Sequence, residues 1–238
     1  MIPKIIHYCW FGKGEKPKLA EKCISSWKRA LPDYELKEWN ESNFDININK
    51  FVKQAYEYKN YAFVSDYARA YALFHYGGIY LDTDVEVLAK FDKFLSCGMF
   101  AGFEEGGYVG TCVIGSEPRM PILEEYMEHY NRSSYILDDG SKYKNTNVVL
   151  FTKLLEKRGL QRTDVLQTVG GVTVYPRTFF SPYDYINAVS YITPDSCAIH
   201  HFAQTWLPKR VRLKTKIKRA ASKMIGPAAL DKIRRKRF

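Results

Sequence analysis

The sequence has no run of about eighteen apolar residues, so no segment is built to cross a bilayer as a helix. Its start, MIPKIIHYCWFG, lacks the long apolar core and small-residue cleavage site of a secretory signal, and a cytoplasmic location is expected. Cysteine is scarce. Cys9, Cys23, Cys97, Cys112 and Cys197 are odd in number and contain no CxxC pair, which points to buried free thiols rather than disulfides or a zinc site. No internal repeat and no low-complexity linker interrupts the first two hundred residues. With 238 residues, 46% of them hydrophobic, the chain can bury one α/β core rather than two.

Acidic residues nearly vanish at the far end. Residues 207–238 hold 13 Lys or Arg against one acid, Asp231, so the formal charge of +10 belongs to a tail and the remainder is close to neutral. Two units follow: a domain over 1–206 and a basic tail over 207–238. Leu213, Ile217, Ala220 and Met224 recur at helical spacing among the tail's cations, the pattern of an amphipathic helix on an anionic membrane surface. A Lys/Arg cluster also suits nucleic acid, and a solvated tail is the plain alternative. The apolar stripe favours the membrane, and no nucleic-acid partner is expected.

Within the domain, Ile2 to Trp10 reads as a strand, Pro17 to Ala30 as a helix, Tyr34 to Trp39 as a strand and Phe51 to Tyr58 as a helix. That alternation predicts a βαβ start and an open, mostly parallel sheet. Further strands are expected at Met99–Phe103, Val109–Ile114, Gly170–Tyr175 and Cys197–Phe202, and helices at Met120–Tyr130 and Asn147–Lys157. A polar loop at 131–143 has the composition of a site cover. Pro176 to Pro194 reads as an irregular loop whose aromatics, Phe179, Phe180, Tyr183, Tyr185 and Tyr191, serve either sugar stacking or core packing.

The most informative stretch is SDYARAYALFHYGGIYLDTDVEV, residues 65–87. Apolar residues three and four apart predict a helix over Ala62–Tyr76, Gly77-Gly78 closes it, and Ile79-Tyr80-Leu81 forms a strand. Asp82 and Asp84 follow. Two apart in an extended chain, their carboxylates point to one side and repel unless a cation lies between them. Mg²⁺ or Mn²⁺, which prefers oxygen ligands and phosphate, meets that need. The carboxyl ends of the strands are also where open α/β sheets bind ligands. An ordinary Asp-rich turn is the bland alternative.

Ser65, Asp66 and Arg69 sit in a helix otherwise almost free of charge. An exposed ion pair there is worth a few tenths of a kcal/mol. A charged pair in so apolar a setting instead suggests a lined cavity, able to hydrogen-bond a ring of hydroxyls. In AIHHFAQTW, His200 and His201 point to opposite faces of a strand, so one imidazole at most completes a metal site begun by the aspartates. Thr205 and Trp206 offer hydrogen bonds to a departing phosphate.

These motifs, with IPKIIHYCWFG before them and HHFAQTW after, resemble the sugar-binding DXD region of glycosyltransferase family 32. That family takes in bacterial capsule and lipopolysaccharide sugar transferases and fungal Golgi mannosyltransferases. The motifs are also similar to the catalytic domain of the large glucosylating toxins. The resemblance spans residues 2–206 and leaves the tail outside.

It implies a GT-A (Rossmann-like) α/β fold, an open twisted mixed sheet flanked by helices, and a retaining hexosyltransferase using Mn²⁺ or Mg²⁺. Its donor would be a nucleotide-sugar, with UDP-hexose favoured over GDP-mannose. By position, Trp10 would stack on the nucleobase, and Asp66 and Arg69 would hold sugar hydroxyls with Ser65 and Tyr80 near the nucleotide. Asp82 would contact ribose and sugar and reach the metal through water, while Asp84 would bind it directly. His201 is preferred to His200 because it stands five residues before Trp206, where the toxins carry an acidic metal ligand. Gln204-Thr205 replaces the family's Gly-Ser. The implied acceptor is a saccharide on a lipid carrier, as in capsule, exopolysaccharide or O-antigen synthesis, at the inner face of the cell membrane.

Two other classes compete. A DxDxV strand end also opens the haloacid-dehalogenase phosphatases, with Asp82 as nucleophile, but that motif wants Thr or Val where Glu86 stands. A non-enzymatic membrane- or nucleic-acid-binding module driven by the tail leaves Asp66, Arg69 and the DTD unexplained.

Overall fold

The structure is a computed structural model that describes residues 1–184 and 189–203. The chain order is β1 (Ile5–Cys9), α1 (Lys18–Ala30), β2 (Glu35–Trp39), α2 (Lys50–Glu57), α3 (Tyr61–Tyr76), β3 (Gly78–Leu81), β4 (Val85–Val87), β5 (Met99–Phe103) and β6 (Val109–Ser116). It continues through α4 (Pro121–Asn131), α5 (Asn147–Glu156), β7 (Gln167–Val169), β8 (Val172–Tyr175), a short α6 (Arg177–Phe180), β9 (Tyr183–Asp184), β10 (Val189–Ser190) and β11 (Ala198–His200).

Seven strands form one sheet in the order β2-β1-β3-β6-β5-β8-β7. The βαβ start is present, since β1 runs parallel to both β2 and β3. The expectation of a mostly parallel sheet fails beyond it: β6 is antiparallel to both β3 and β5, and β7 to β8, while β5 and β8 are parallel. The sheet is therefore mixed. One face packs on α2 to α5 around Phe51, Tyr130 and Phe151; the other packs on α1 and a phenylalanine cluster. Phe180 stacks on Phe100 at 5.5 Å inside that cluster and Phe179 lies against it, so both are core residues rather than sugar platforms. Tyr191 is exposed beneath the Arg177 guanidinium, and Tyr185 lies outside the described residues. In the polar loop, Tyr135 and Tyr143 insert edge-on against Phe51, which anchors the segment to the core.

Two glycines set the entry to β3. Gly77 takes φ 64° at the end of α3, and its N–H closes on the Leu73 carbonyl. Gly78 takes φ 103°, and a Cβ there would come within 2.7 Å of the Ile5 carbonyl oxygen. The chain thus turns from helix to strand without a loop, which returns the first half of α3 to the carboxyl end of β3.

His7 locks the same corner. Trp39 Nε1, which can only donate, meets His7 Nδ1 at 3.1 Å, so Nε2 carries the proton and donates to the Gly77 carbonyl at 2.8 Å. Burial lowers the His7 pKa to about 4. Between about pH 6.5 and 4 the unfolded chain binds a proton that the folded chain refuses, so stability falls as pH falls through that window, by on the order of 3 kcal/mol. Gln at position 7 does not titrate. The stability gap between the protein and His7→Gln is expected to shrink on acidification, read by urea denaturation at pH 7 and pH 4.5. A gap independent of pH contradicts the assignment.

Candidate active site

β3 ends at Leu81, and the DTD that follows is a tight turn rather than an extended strand end, with the Val85 N–H donating to the Asp82 carbonyl at 2.9 Å. The turn feeds β4, which pairs antiparallel with β11 in the register Val87↔Ala198, Glu86↔Ile199, Val85↔His200. The pairing carries on past β11, where His201 N–H meets the Asp84 carbonyl at 3.0 Å. This register brings the two histidines to different carboxylates. His200 Nε2 lies 3.3 Å from Asp84 Oδ1, and one ligand atom each of Asp82, Asp84 and His200 fall within 4.8 Å of one another. His201 Nε2 instead meets Glu86 at 2.9 Å, a carboxylate that also holds Lys22. The preference for His201 is thus corrected: His200 faces the aspartates.

Asp84 is held as a carboxylate. Burial opposes its charge, but His200 and the Ala203 N–H, 2.7 Å from Oδ2, bring its pKa down to about 2. Burial likewise opposes charge on His200, yet Cys112 and Asp84 hold its pKa well above the usual histidine value. The DTD backbone is tied to the sheet through Asp82 N–H to the Cys112 carbonyl at 2.9 Å.

Arg69 joins this acidic turn to α3. It is 5% exposed, and its Nη2 reaches Asp66 Oδ1 at 3.0 Å and Asp82 Oδ1 at 3.3 Å. Nη1 donates to the Thr111 carbonyl and hydroxyl, and the guanidinium lies 4.6 Å over the Tyr80 ring. One cation between two carboxylates leaves the more buried one under-compensated: burial and Asp82 push Asp66 up to about 7 against the pull of Arg69 and Asn147. Asn147 Nδ2 donates to the same Asp66 oxygen at 2.6 Å. Tyr80 is 1% exposed and donates its hydroxyl to Asp82, so it orients that carboxylate rather than facing a nucleotide. The Ser65 hydroxyl donates to the Tyr61 carbonyl one turn back. Trp10 sits half-buried just past β1, its Nε1 on the Gly14 carbonyl and Lys16 5.7 Å over its ring.

Thr205, Trp206 and the 207–238 tail lie outside the described residues. Four residues that the sequence reading missed belong to the neighbourhood: Thr111, Asn147, Glu104 and Cys112. Glu104 stands directly after β5, as Asp82 stands after β3, so the same strand-end logic would have found it. Thr111 is one of two polar residues, with Ser116, in a buried strand. Asn147 opens a helix behind a polar loop and carries no comparable signal.

Residues 17–100 match the family model of a glycosyltransferase sugar-binding region containing the DXD motif, which takes in Ser65 to Asp84. Mannosyl phosphorylinositol ceramide synthase CSH1 of Saccharomyces cerevisiae is 30% identical over 150 residues, 57% of this chain and 38% of its own. An uncharacterized glycosyltransferase of Acanthamoeba polyphaga mimivirus is 28% identical over 171 residues, 64% of this chain and 67% of its own. The match spans well under half of the length of CSH1 and of inositol phosphoceramide mannosyltransferase 3 of Schizosaccharomyces pombe, 38% in each. Among solved structures, the PaToxG glycosyltransferase superposes with a TM-score of 0.51 at 18% identity, over 66% of this chain and 69% of that one. The fold is the GT-A-like one expected.

Proposed function

We propose that this protein is a metal-dependent retaining glycosyltransferase that moves a hexose from a nucleoside-diphosphate sugar to a saccharide acceptor. The observation that carries the reading is the convergence of Asp82, Asp84 and His200 within 4.8 Å, bridged by Arg69 to a buried Asp66. Two carboxylates and one imidazole fit Mn²⁺ or Mg²⁺, and the charge already held on Asp84 favours a cation there. Asp84 and His200 would ligate the ion directly and Asp82 through water. When bound, the ion would supply electrostatic stabilisation to the departing diphosphate.

The chain's own residues do the rest. Asp66 and Arg69 offer a carboxyl and a guanidinium to donor sugar hydroxyls, and Asn147 fixes the Asp66 carboxyl in place. Tyr80 and Arg69 aim Asp82. Trp10 offers an indole to the nucleobase, and Thr205 and Trp206, outside the described residues, would donate to the leaving phosphate. The acceptor oxygen gives its proton to that phosphate, so no protein base is assigned. The phosphatase alternative has little support, because the acidic pair follows the third strand and both carboxylates are tied into the Arg69–His200 constellation.

UDP-hexose remains the donor suggested by the toxin likeness, while the relative named inositol phosphoceramide mannosyltransferase 3 favours a mannosyl donor, for which GDP-mannose is the candidate. Thermal-shift titration with UDP-glucose, UDP-galactose and GDP-mannose, with and without Mn²⁺, separates the two. Stabilisation by one donor that requires the metal is expected. No response to any donor, or one indifferent to the metal, overturns the reading. Among the described residues no helix is long and apolar enough to cross a membrane. The basic tail would hold the enzyme on an anionic inner-leaflet surface beside a lipid-linked acceptor; equal sedimentation with anionic vesicles by a chain ending at Trp206 counts against it.

A further inference from the structure

His200 faces a second set of ligands. One ligand atom each of Glu104, Cys112 and His200 lie within 4.8 Å of one another, and this set differs in kind from the aspartate set: carboxylate, thiol and imidazole. Two observations show that it is short of partners. His200 Nδ1 is buried with no hydrogen bond. Cys112 is 4% exposed and unpaired with any other cysteine.

We propose that Glu104, Cys112 and His200 form a separate site for a thiophilic divalent cation of the Zn²⁺ type. We propose further that filling it draws His200 away from Asp82 and Asp84. Bond lengths of about 2.0–2.3 Å in a tetrahedral site place ligand atoms roughly 3.3–3.8 Å apart, so the observed spacing closes with side-chain shifts of about an ångström. Water or a fourth group completes the shell. Mn²⁺ and Mg²⁺ prefer the all-oxygen side and Zn²⁺ the thiolate side. Binding requires the Cys112 thiol to lose its proton to solvent as the S–metal bond forms. No local motif marks such a site because its ligands are not close in the chain: Glu104 follows β5, Cys112 lies inside β6 and His200 ends β11.

The site itself stands on geometry alone; the competition for His200 rests on the proposed donor-metal site. Full-length protein stripped of metal is titrated with Co²⁺ while the near-ultraviolet thiolate-to-cobalt charge-transfer absorption is followed. A band saturating at one equivalent is expected, lost in Cys112→Ser and at least tenfold weaker in apparent affinity in Glu104→Gln. Melting temperature reports whether each variant is folded, and zinc-edge X-ray absorption on the unmodified protein gives a Zn–S distance that needs no variant. Absence of the band, or its survival in Cys112→Ser, overturns the site. Zn²⁺ at one equivalent should then weaken Mn²⁺-dependent donor stabilisation at least tenfold in the unmodified protein and not in Cys112→Ser. A band without competition overturns the shared use of His200. A band in a protein that binds no donor leaves the site standing and removes the functional reading instead.

Discussion

Replacing Asp84 by asparagine leaves the fold intact and removes Mn²⁺-dependent donor binding, with transfer falling by on the order of a hundredfold or more. Asp84 is held ionised, at about 2, by His200 and the Ala203 N–H despite burial. An amide can still accept from Ala203 through its oxygen, so the β4–β11 junction keeps its bond, and one of two closely placed negative charges disappears. The variant also gives up the Asp84–His200 ion pair, so some stability is lost with it, while the cation loses its one fully charged direct ligand. His200 sharpens the expectation. Its pKa is raised above the usual histidine range, so metal entry must displace a proton and the metal affinity of the unmodified protein rises with pH. Calorimetric Mn²⁺ titration of Asp84→Asn checks this. Undiminished metal-dependent turnover in a folded variant removes the DTD from the mechanism.

The half of the molecule organised by local rules is legible in the sequence. Apolar spacing places the helix at Ala62–Tyr76 against the observed Tyr61–Tyr76, and Met99–Phe103 is a strand as read. Gly77-Gly78 marks the boundary because Gly77 combines φ 64° with ψ −166° and Gly78 takes φ 103°, backbone that side chains resist. What is not legible depends on pairing between distant segments. VGTCVIGS is buried along its whole length, so it carries no alternation to show its direction, and that direction follows from contacts with β3 and β5. The choice between His200 and His201 is a choice of register between β4 and β11, and a one-residue slip exchanges the two faces. The site partners missed are of the same kind: Thr111 and Asn147 meet Arg69 and Asp66 across 42 and 81 residues. Local composition flags Asp66 and Arg69 as unusual, and only the fold supplies the groups that hold them.

Arg69→Met carries the largest expected loss of stability. The guanidinium is buried, compensates Asp66 and Asp82 together, satisfies the Thr111 carbonyl at 2.7 Å and lies over Tyr80. Methionine keeps the volume of the stem but strands two carboxylates and a carbonyl oxygen. Breaking a buried pair in this way costs about 3–5 kcal/mol, a drop of roughly 10 °C in melting temperature for a chain of this size. Lysine does not rescue it, since a single ammonium cannot span Asp66, Asp82 and Thr111 in the geometry of the fork. Above neutral pH, where Asp66, already pushed up to about 7, would otherwise ionise without its cation, Asp66→Asn in the Arg69→Met background should recover part of the loss, and its bond from Asn147 can persist. Asp66→Asn alone leaves Arg69 paired with Asp82 and should cost much less than Arg69→Met. The four proteins form a double-mutant cycle read by urea denaturation. Strong favourable coupling between positions 66 and 69 is the expected result, and additive losses would mean that Arg69 stabilises the site through Asp82 and Thr111 alone.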